Sequence, residues 1–280
     1  MAQPGAAQAS GARGKGPGGA RPLPEPPPVP TLPLFGLDFA NLPLPAVVNW
    51  LAARPAGARF GYVVTPNADH LARMQRMPEM RQLYTAAMLR LLDSRVAAGA
   101  ARLAGLPVPA VLPGSDLTAF IVRRILRPEE PVTILGMTEE AVAALAERCG
   151  LRNIAHYNPP MGFDQDPAEM ERAIRFIEDN PARFHFLAVG SPRQCRVANA
   201  VARRGRATGT GLCIGASLLF LSGHERRAPL ALQRAGLEWA WRLAQDPQRL
   251  ARRYLMDSPR MFLLIRDDAR QRRLARADRY

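Results

Sequence analysis

The chain has 280 residues, of which 48% are hydrophobic, enough to bury a sizeable core and too apolar for a disordered chain. Lys and Arg number 38 against 24 Asp and Glu, a net +14, and Lys15 is the only lysine. A positive surface of arginine forks calls for an anionic partner, such as a phosphorylated substrate, anionic lipid or nucleic acid. Aromatics are only 6% and do not interleave with basic residues, which argues against base stacking and so against nucleic acid. The three cysteines, Cys149, Cys195 and Cys213, are widely spaced, with no CxxC. That excludes a disulfide framework or a zinc-finger pattern and fits a reducing cytoplasm. The N-terminus carries no apolar signal-like run, and no apolar stretch reaches the length of a membrane span.

Residues 1–33 are rich in Gly, Ala and Pro and predict an extended, unpacked segment. From Phe35 the pattern changes to short apolar runs alternating with helical periodicity. The runs Phe60–Val64, Leu89–Leu92, Val132–Leu135, Ile154–Tyr157, Phe184–Val189 and Thr210–Ile214 predict strands. The intervening segments Pro43–Ala53, Asp69–Met77, Met80–Met88, Val96–Leu103, Asp116–Leu126, Glu139–Cys149, Pro167–Asp179 and Gln194–Arg204 predict helices. Strand–helix alternation at this spacing implies an α/β fold: a mostly parallel sheet with helices on both faces, over residues 34–223. Residues 224–280 hold 14 arginines against 7 acids and predict a basic helical appendage. Its apolar stripe, Leu232, Leu237, Trp241 and Ala244, could lie on anionic lipid, let its arginines reach a diphosphate, or simply pack on the core. Such an appendage can also pack across a subunit boundary, which leaves room for a homo-oligomer.

Parallel α/β sheets bind ligands at the carboxyl ends of their strands, so the residues there are the candidates. Asp93 follows an apolar run and can serve as a general base in a cleft, or as the N-cap of the next helix. Thr65 and Asn67 can bind a sugar or phosphate, or cap a helix. Gly114-Ser115-Asp116 can present backbone amides to an anion, and Ser115 can equally be an N-cap. Gly190-Ser191-Pro192-Arg193-Gln194 is a second candidate loop, with Gln194 as a neutral donor. The glycines 209, 211 and 215 have the wrong spacing for a dinucleotide fingerprint and lack a following acid. His185 sits mid-strand and reads as a packed residue. No metal-ligand spacing, GxSxG elbow or P-loop is present, so neither metal nor cofactor is expected.

Taken in order, Thr65-Pro66-Asn67, Asp93, Ala101-Arg102-Leu103-Ala104-Gly105, Gly114-Ser115-Asp116-Leu117, Gly190-Ser191-Pro192-Arg193-Gln194, Phe220-Leu221-Ser222-Gly223, Arg227-Ala228-Pro229, Gly236-Leu237-Glu238-Trp239 and Arg252-Arg253-Tyr254 resemble the WecG/TagA/CpsF glycosyltransferases. The resemblance spans about residues 34–262. It implies metal-independent, inverting transfer of a sugar from a nucleotide-sugar donor, N-acetylmannosamine from UDP in the prototype, to a polyprenyl-diphosphate-linked acceptor in cell-surface or exopolysaccharide synthesis. By this resemblance Asp93 is the general base. Thr65, Asn67 and Gln194 line the site, with Ser115 and Asp116 in a neighbouring motif. Arg102 is a cleft arginine, and Arg227 belongs to the appendage that reaches the diphosphate and docks peripherally on the inner face of the cytoplasmic membrane. The sequence departs from the family pattern at Ser94, where glycine is usual, and at Cys195 and Leu219, where acids are usual. Val111 stands where an arginine is common. A non-catalytic relative that binds a nucleotide sugar or a partner enzyme is the alternative.

Overall fold

The computed structural model describes residues 26–252 and 258–277. Most of residues 1–33, and part of the segment between the last two helices, lie outside the described residues. A short antiparallel hairpin, β1 (Thr31–Leu34) and β2 (Leu37–Ala40), comes first. It begins inside the stretch expected to be unpacked, because Leu34, Leu37 and Phe39 give it a fully buried apolar face. The chain continues through α1 (Leu44–Ala53), β3 (Gly61–Val64), α2 (Ala68–Met74), α3 (Pro78–Thr85), β4 (Leu89–Arg90) and α4 (Arg95–Leu103). Next come α5 (Gly114–Phe120), β5 (Val132–Leu135), α6 (Glu139–Cys149), β6 (Ile154–Tyr157) and α7 (Pro167–Asp179). The sheet closes with β7 (Phe184–Leu187), α8 (Arg193–Arg204), β8 (Thr210–Cys213) and α9 (Ser217–Ser222).

The six longer-range strands form one sheet in the order β4-β3-β8-β7-β5-β6, with every pairing parallel. Register puts Val63 opposite Leu89 and Leu212, and Ile134 opposite Phe186. Side chains therefore divide by strand parity. Val63, Ile134, Phe186 and Leu212 enter one core with α1, α5, α6 and α9. Tyr62, Val64, Leu135, Leu187 and Cys213 enter the other, with α2, α3, α4, α7 and α8. The expected two-faced α/β architecture is what the chain forms.

Two differences from the sequence expectation bear on the site. The second expected strand, 89–92, shrinks to Leu89–Arg90, and Leu92 instead bridges to Val111. The expected helix 116–126 starts earlier, at Gly114, and ends in a π-helical turn over Ile121–Ile125. Arg90 fixes the short strand by donating to the carbonyls of Ala87 (2.8 Å), Thr85 (3.0 Å) and Tyr84 (3.2 Å), the loose C-terminal carbonyls of α3, and to Asp38 O (2.6 Å) on the hairpin. His185 is packed as expected. Its Nε2 donates to Thr208 O at 2.9 Å, which leaves Nδ1 to accept from Thr133 Oγ1 at 2.7 Å. Burial pushes its pKa down to about 4, so the ring is neutral at working pH.

The appendage comprises α10 (Leu230–Arg234), α11 (Glu238–Gln245), α12 (Pro247–Arg252) and α13 (Met261–Ala277). The last helix was not legible in the periodicity. It packs on α2 and α4 and buries Met261, Leu264 and Ile265 in the same core as Tyr62 and Leu187. Its Asp268 accepts the Phe35 amide at 2.9 Å, and Arg272 donates to Pro33 O at 2.6 Å, so it also ties down the hairpin. Among the described residues, no helix is long and apolar enough to cross a membrane.

Candidate active site

The carboxyl ends of β4, β3, β8 and β7 bring four loops into a row. Successive strands stand ~4.8 Å apart, so the row from β4 to β7 spans roughly 14 Å. Asp93 occupies the β4 end. Its own amide donates to Pro66 O at 3.0 Å, tying it to the turn after β3, and its Oδ2 accepts the Gly114 amide at 3.0 Å. The capping alternative for Asp93 fails, because the next residue takes that duty: Ser94 Oγ accepts the Ala97 amide at 3.1 Å.

Burial raises the Asp93 carboxyl to about 7. The Gly114 amide and Arg242 pull it down, and Glu238 and Asp116 push it up. A half-buried carboxylate that gives up its proton near neutrality is suited to taking one from a sugar hydroxyl.

Gly114 is small for a reason. A Cβ there would lie 2.8 Å from Thr65 Oγ1 and 3.3 Å from Thr65 Cβ. Thr65 is itself buried and reaches Cys213 O at 3.5 Å, which ties the β3 turn to the end of β8. Gln194, buried at the first turn of α8, accepts the Gly215 amide at 3.0 Å. That hydrogen bond links the loops after β7 and β8.

The remaining sequence candidates fall in three places. Asn67 caps α2: its Oδ1 accepts the His70 amide at 3.1 Å, and His70 Nδ1 accepts the Asn67 amide at 3.4 Å. It sits at the β3 turn beside Thr65 with its side chain engaged. Ser115 is not the N-cap of α5. The cap position is Pro113, which has no side-chain oxygen, and Ser115 is buried inside the first turn. Asp116 and Arg227 meet each other directly in an ion pair. Arg102 lies apart from this cluster, on the exposed side of α4.

Arg102 lines a groove of ≈ 670 Å³ between α4 and the appendage, with Arg95, Arg234, Val96, Val111 and Phe262. Leu103, at its edge, is 93% exposed. The groove adjoins the Asp93 loop through Val111, which bridges Leu92, and through the Leu112 amide, which donates to Leu92 O at 2.8 Å. Three arginines with apolar neighbours suit an anionic head attached to a hydrocarbon. Sequence reasoning missed Arg95 and Arg234 as site residues, and also Glu238 and Arg242 of α11, whose charges act on Asp93. The spacing of Glu238 and Arg242, four residues apart on a helix, was the available signal that they share a face. Among the described residues, no group of three or more His, Cys, Asp or Glu could hold a metal ion.

The profile of the glycosyl transferase WecG/TagA/CpsF family matches residues 32–275. The chain belongs to this family. The match takes in the sheet, the hairpin from its first strand and the appendage through most of α13, so the C-terminal helices are part of the family fold. As a WecG/TagA/CpsF glycosyltransferase, the chain acts on a sugar donor and an acceptor. Of the positions where the sequence departs from the family pattern, Cys195 carries a thiol buried beside Cys213 in packed core, whereas Leu219 is only partly buried. The tight Gly114–Thr65 approach gives a test. Gly114→Ala should displace Thr65 or lengthen the amide bond to Asp93, and so lower turnover by about tenfold or more. Turnover measured beside a thermal melt checks this, and unchanged turnover in a folded variant would show that the approach is not needed.

Proposed function

We propose that this glycosyltransferase transfers a sugar, with inversion, from a nucleotide-sugar donor to a polyprenyl-diphosphate-linked acceptor, with Asp93 as general base. The observation that carries the reading is a single one: a carboxyl group raised to about 7 at a strand end, adjoining a groove lined by three arginines and apolar side chains. Asp93 takes the proton of the acceptor hydroxyl. The oxygen attacks the anomeric carbon from the face opposite the nucleoside diphosphate, a C–O bond forms, and the bond to the diphosphate breaks with its electron pair.

Thr65 and Gln194 stand along the strand-end row, where the donor sugar and its phosphates would lie. Ser115 and Asn67 shape the adjoining turns. The acceptor diphosphate lies against Arg102, Arg95 and Arg234, and Arg227, paired with Asp116 outside the groove lining, adds positive charge to the site. Arginines, rather than a metal, neutralise its charge. The exposed Leu103, Phe262, Leu263 and Leu230 face the lipid, and the protein works peripherally on the inner face of the cytoplasmic membrane.

The direct test supplies a panel of UDP-, GDP- and dTDP-sugars with a polyprenyl-diphosphate-linked sugar and reads lipid-linked product and its anomeric configuration. Inverted product with one donor supports the proposal. Nucleotide binding with no transfer to any lipid acceptor would favour the non-catalytic alternative, to which the altered positions 195 and 219 lend weight. The groove has its own test. Each basic side chain near an anionic membrane is worth about 1 kcal/mol, so the double variant Arg102→Glu, Arg234→Glu should raise KM for the lipid acceptor about tenfold or more and change kcat little. An unchanged KM would remove the groove from acceptor binding.

A further inference from the structure

Arg227 opens the appendage and reaches back to the catalytic sheet. One terminal nitrogen of its guanidinium is bonded to Asp116 on α5. On its other side, Nε lies 3.9 Å from Glu238 Oε1 on α11, beyond hydrogen-bond reach. That Nε is buried and has no hydrogen-bond partner among the described residues. The same helix holds the backbone next door: Trp241 Nε1 and Gln245 Nε2 both donate to Arg226 O, at 3.3 and 3.5 Å. Arg242, one turn after Glu238, lies over the Phe220 ring at 5.2 Å. The groups whose charge or hydrogen bonding Asp93 feels are thus the Gly114 amide and Asp116 from α5, and Glu238 and Arg242 from α11.

A guanidinium flanked by two carboxylates can present its fork in few directions. A single carboxylate would leave it free to swing about one ion pair, and a partly exposed pair of that kind holds little. We propose that Glu238 is a positioning residue of the transfer site: with Asp116 it clamps Arg227 from two sides, so that the appendage fixes both the direction of that guanidinium and the charge around Asp93. Glu238 touches neither reacting atom; it acts through Arg227 and through its field. The proposal builds on the assignment of Asp93 as base, but it concerns the free protein and can be measured without substrate.

The clamp makes a prediction of sign. Removing the Glu238 charge takes one negative charge away, so Asp93 ionises more easily. Removing the Arg227 charge leaves Asp116 and Glu238 uncompensated, so Asp93 ionises less easily. The experiment is a carbon-13 carboxyl NMR titration of the full-length, substrate-free protein, with the Asp93 resonance assigned by its loss in Asp93→Asn. Glu238→Gln is expected to lower the Asp93 midpoint by about 0.5 unit or more. Arg227→Gln is expected to raise it, and Glu238→Asp, which keeps the charge, to restore it toward the parent. A merely structural role for α11 would wet Asp93 in both neutral variants and move both midpoints down. That result, or no movement in Glu238→Gln, overturns the clamp. If the two midpoints move in opposite directions while Asp93→Asn still transfers sugar, the clamp stands and the base assignment falls.

Discussion

Asp93→Asn should lower transfer by about 10²–10⁴-fold, the usual worth of a positioned general base. The side chain keeps its shape and can still accept the Gly114 amide bond that holds it at 3.0 Å, so the fold should survive. In the parent protein, kcat/KM should climb with pH until about 7, where the Asp93 carboxyl loses its proton. In the variant that limb should vanish from whatever activity is left. A variant that kept full turnover and the same acid limb would move the base elsewhere.

The same shift has a stability consequence with a definite sign. The folded carboxyl titrates near 7, above its unfolded value, because burial disfavours the ionised form. Its contribution to stability is therefore present below the unfolded value, about 3.9, and is lost as pH rises through the folded one. Asn carries no such penalty. Asp93→Asn should accordingly match the parent near pH ~4 and exceed it at pH ~8.5 by up to about 4 kcal/mol, roughly three pKa units at ~1.4 kcal/mol each, read from urea unfolding at the two pH values. A catalytic group that destabilises its own fold at working pH is a usual mark of a functional site. A gain that was equal at both pH values would instead point to a packing effect.

The strands Val132–Leu135 and Ile154–Tyr157 and the helices Glu139–Cys149 and Pro167–Asp179 were legible to the residue, because a continuous apolar run or a 3.6-residue stripe ends there on Gly, Asn or an N-cap. Strand Leu89–Leu92 was read too long. A sequence shows the apolar run but not where its partner β3 stops, and beyond Arg90 the chain pairs with Val111 instead. The hairpin was missed because prolines at 28, 30 and 33 mask it, although its apolar residues Leu34, Leu37 and Phe39 are all present. At the site, Asp93, Thr65 and Gln194 sat at strand ends, where the rule for parallel sheets directs attention. Asp116 and Arg227 both stand in motifs that carry the family resemblance, yet nothing in a one-dimensional reading shows that residues 111 positions apart bind each other. Glu238 stands in the Gly236-Leu237-Glu238-Trp239 motif, but its relation to Arg227 and Asp93, like that of Arg242 to Asp93, is hidden for the same reason, since the target lies in another part of the chain.

Removing the last helix should do more than remove charge. Deleting residues from 258 onward takes away Met261, Leu264 and Ile265, all under a tenth exposed, and uncovers the α2 and α4 surfaces beneath them. Each such side chain is worth about 1.5–3 kcal/mol when buried. The deletion also strands the Phe35 amide, which now has Asp268 as its partner at 2.9 Å. For a domain of this size 1 kcal/mol is about 2–4 °C, so Tm should fall by roughly 10 °C or more. Ile265→Asp makes the sharper test, because it keeps every arginine of the tail and should still lower Tm by about 5 °C or more. If both variants melted with the parent, α13 would be a basic arm lying on the surface and not part of the core. The same burial decides how a membrane role can be tested. A truncation that releases the protein from anionic liposomes reads unfolding as well as lost charge, whereas Arg102→Glu, Arg234→Glu changes charge on exposed side chains alone. Loss of liposome binding in that double variant with an unchanged Tm would therefore assign the membrane contact to the groove, and loss in Ile265→Asp with an altered Tm would say only that the appendage must be folded to present it.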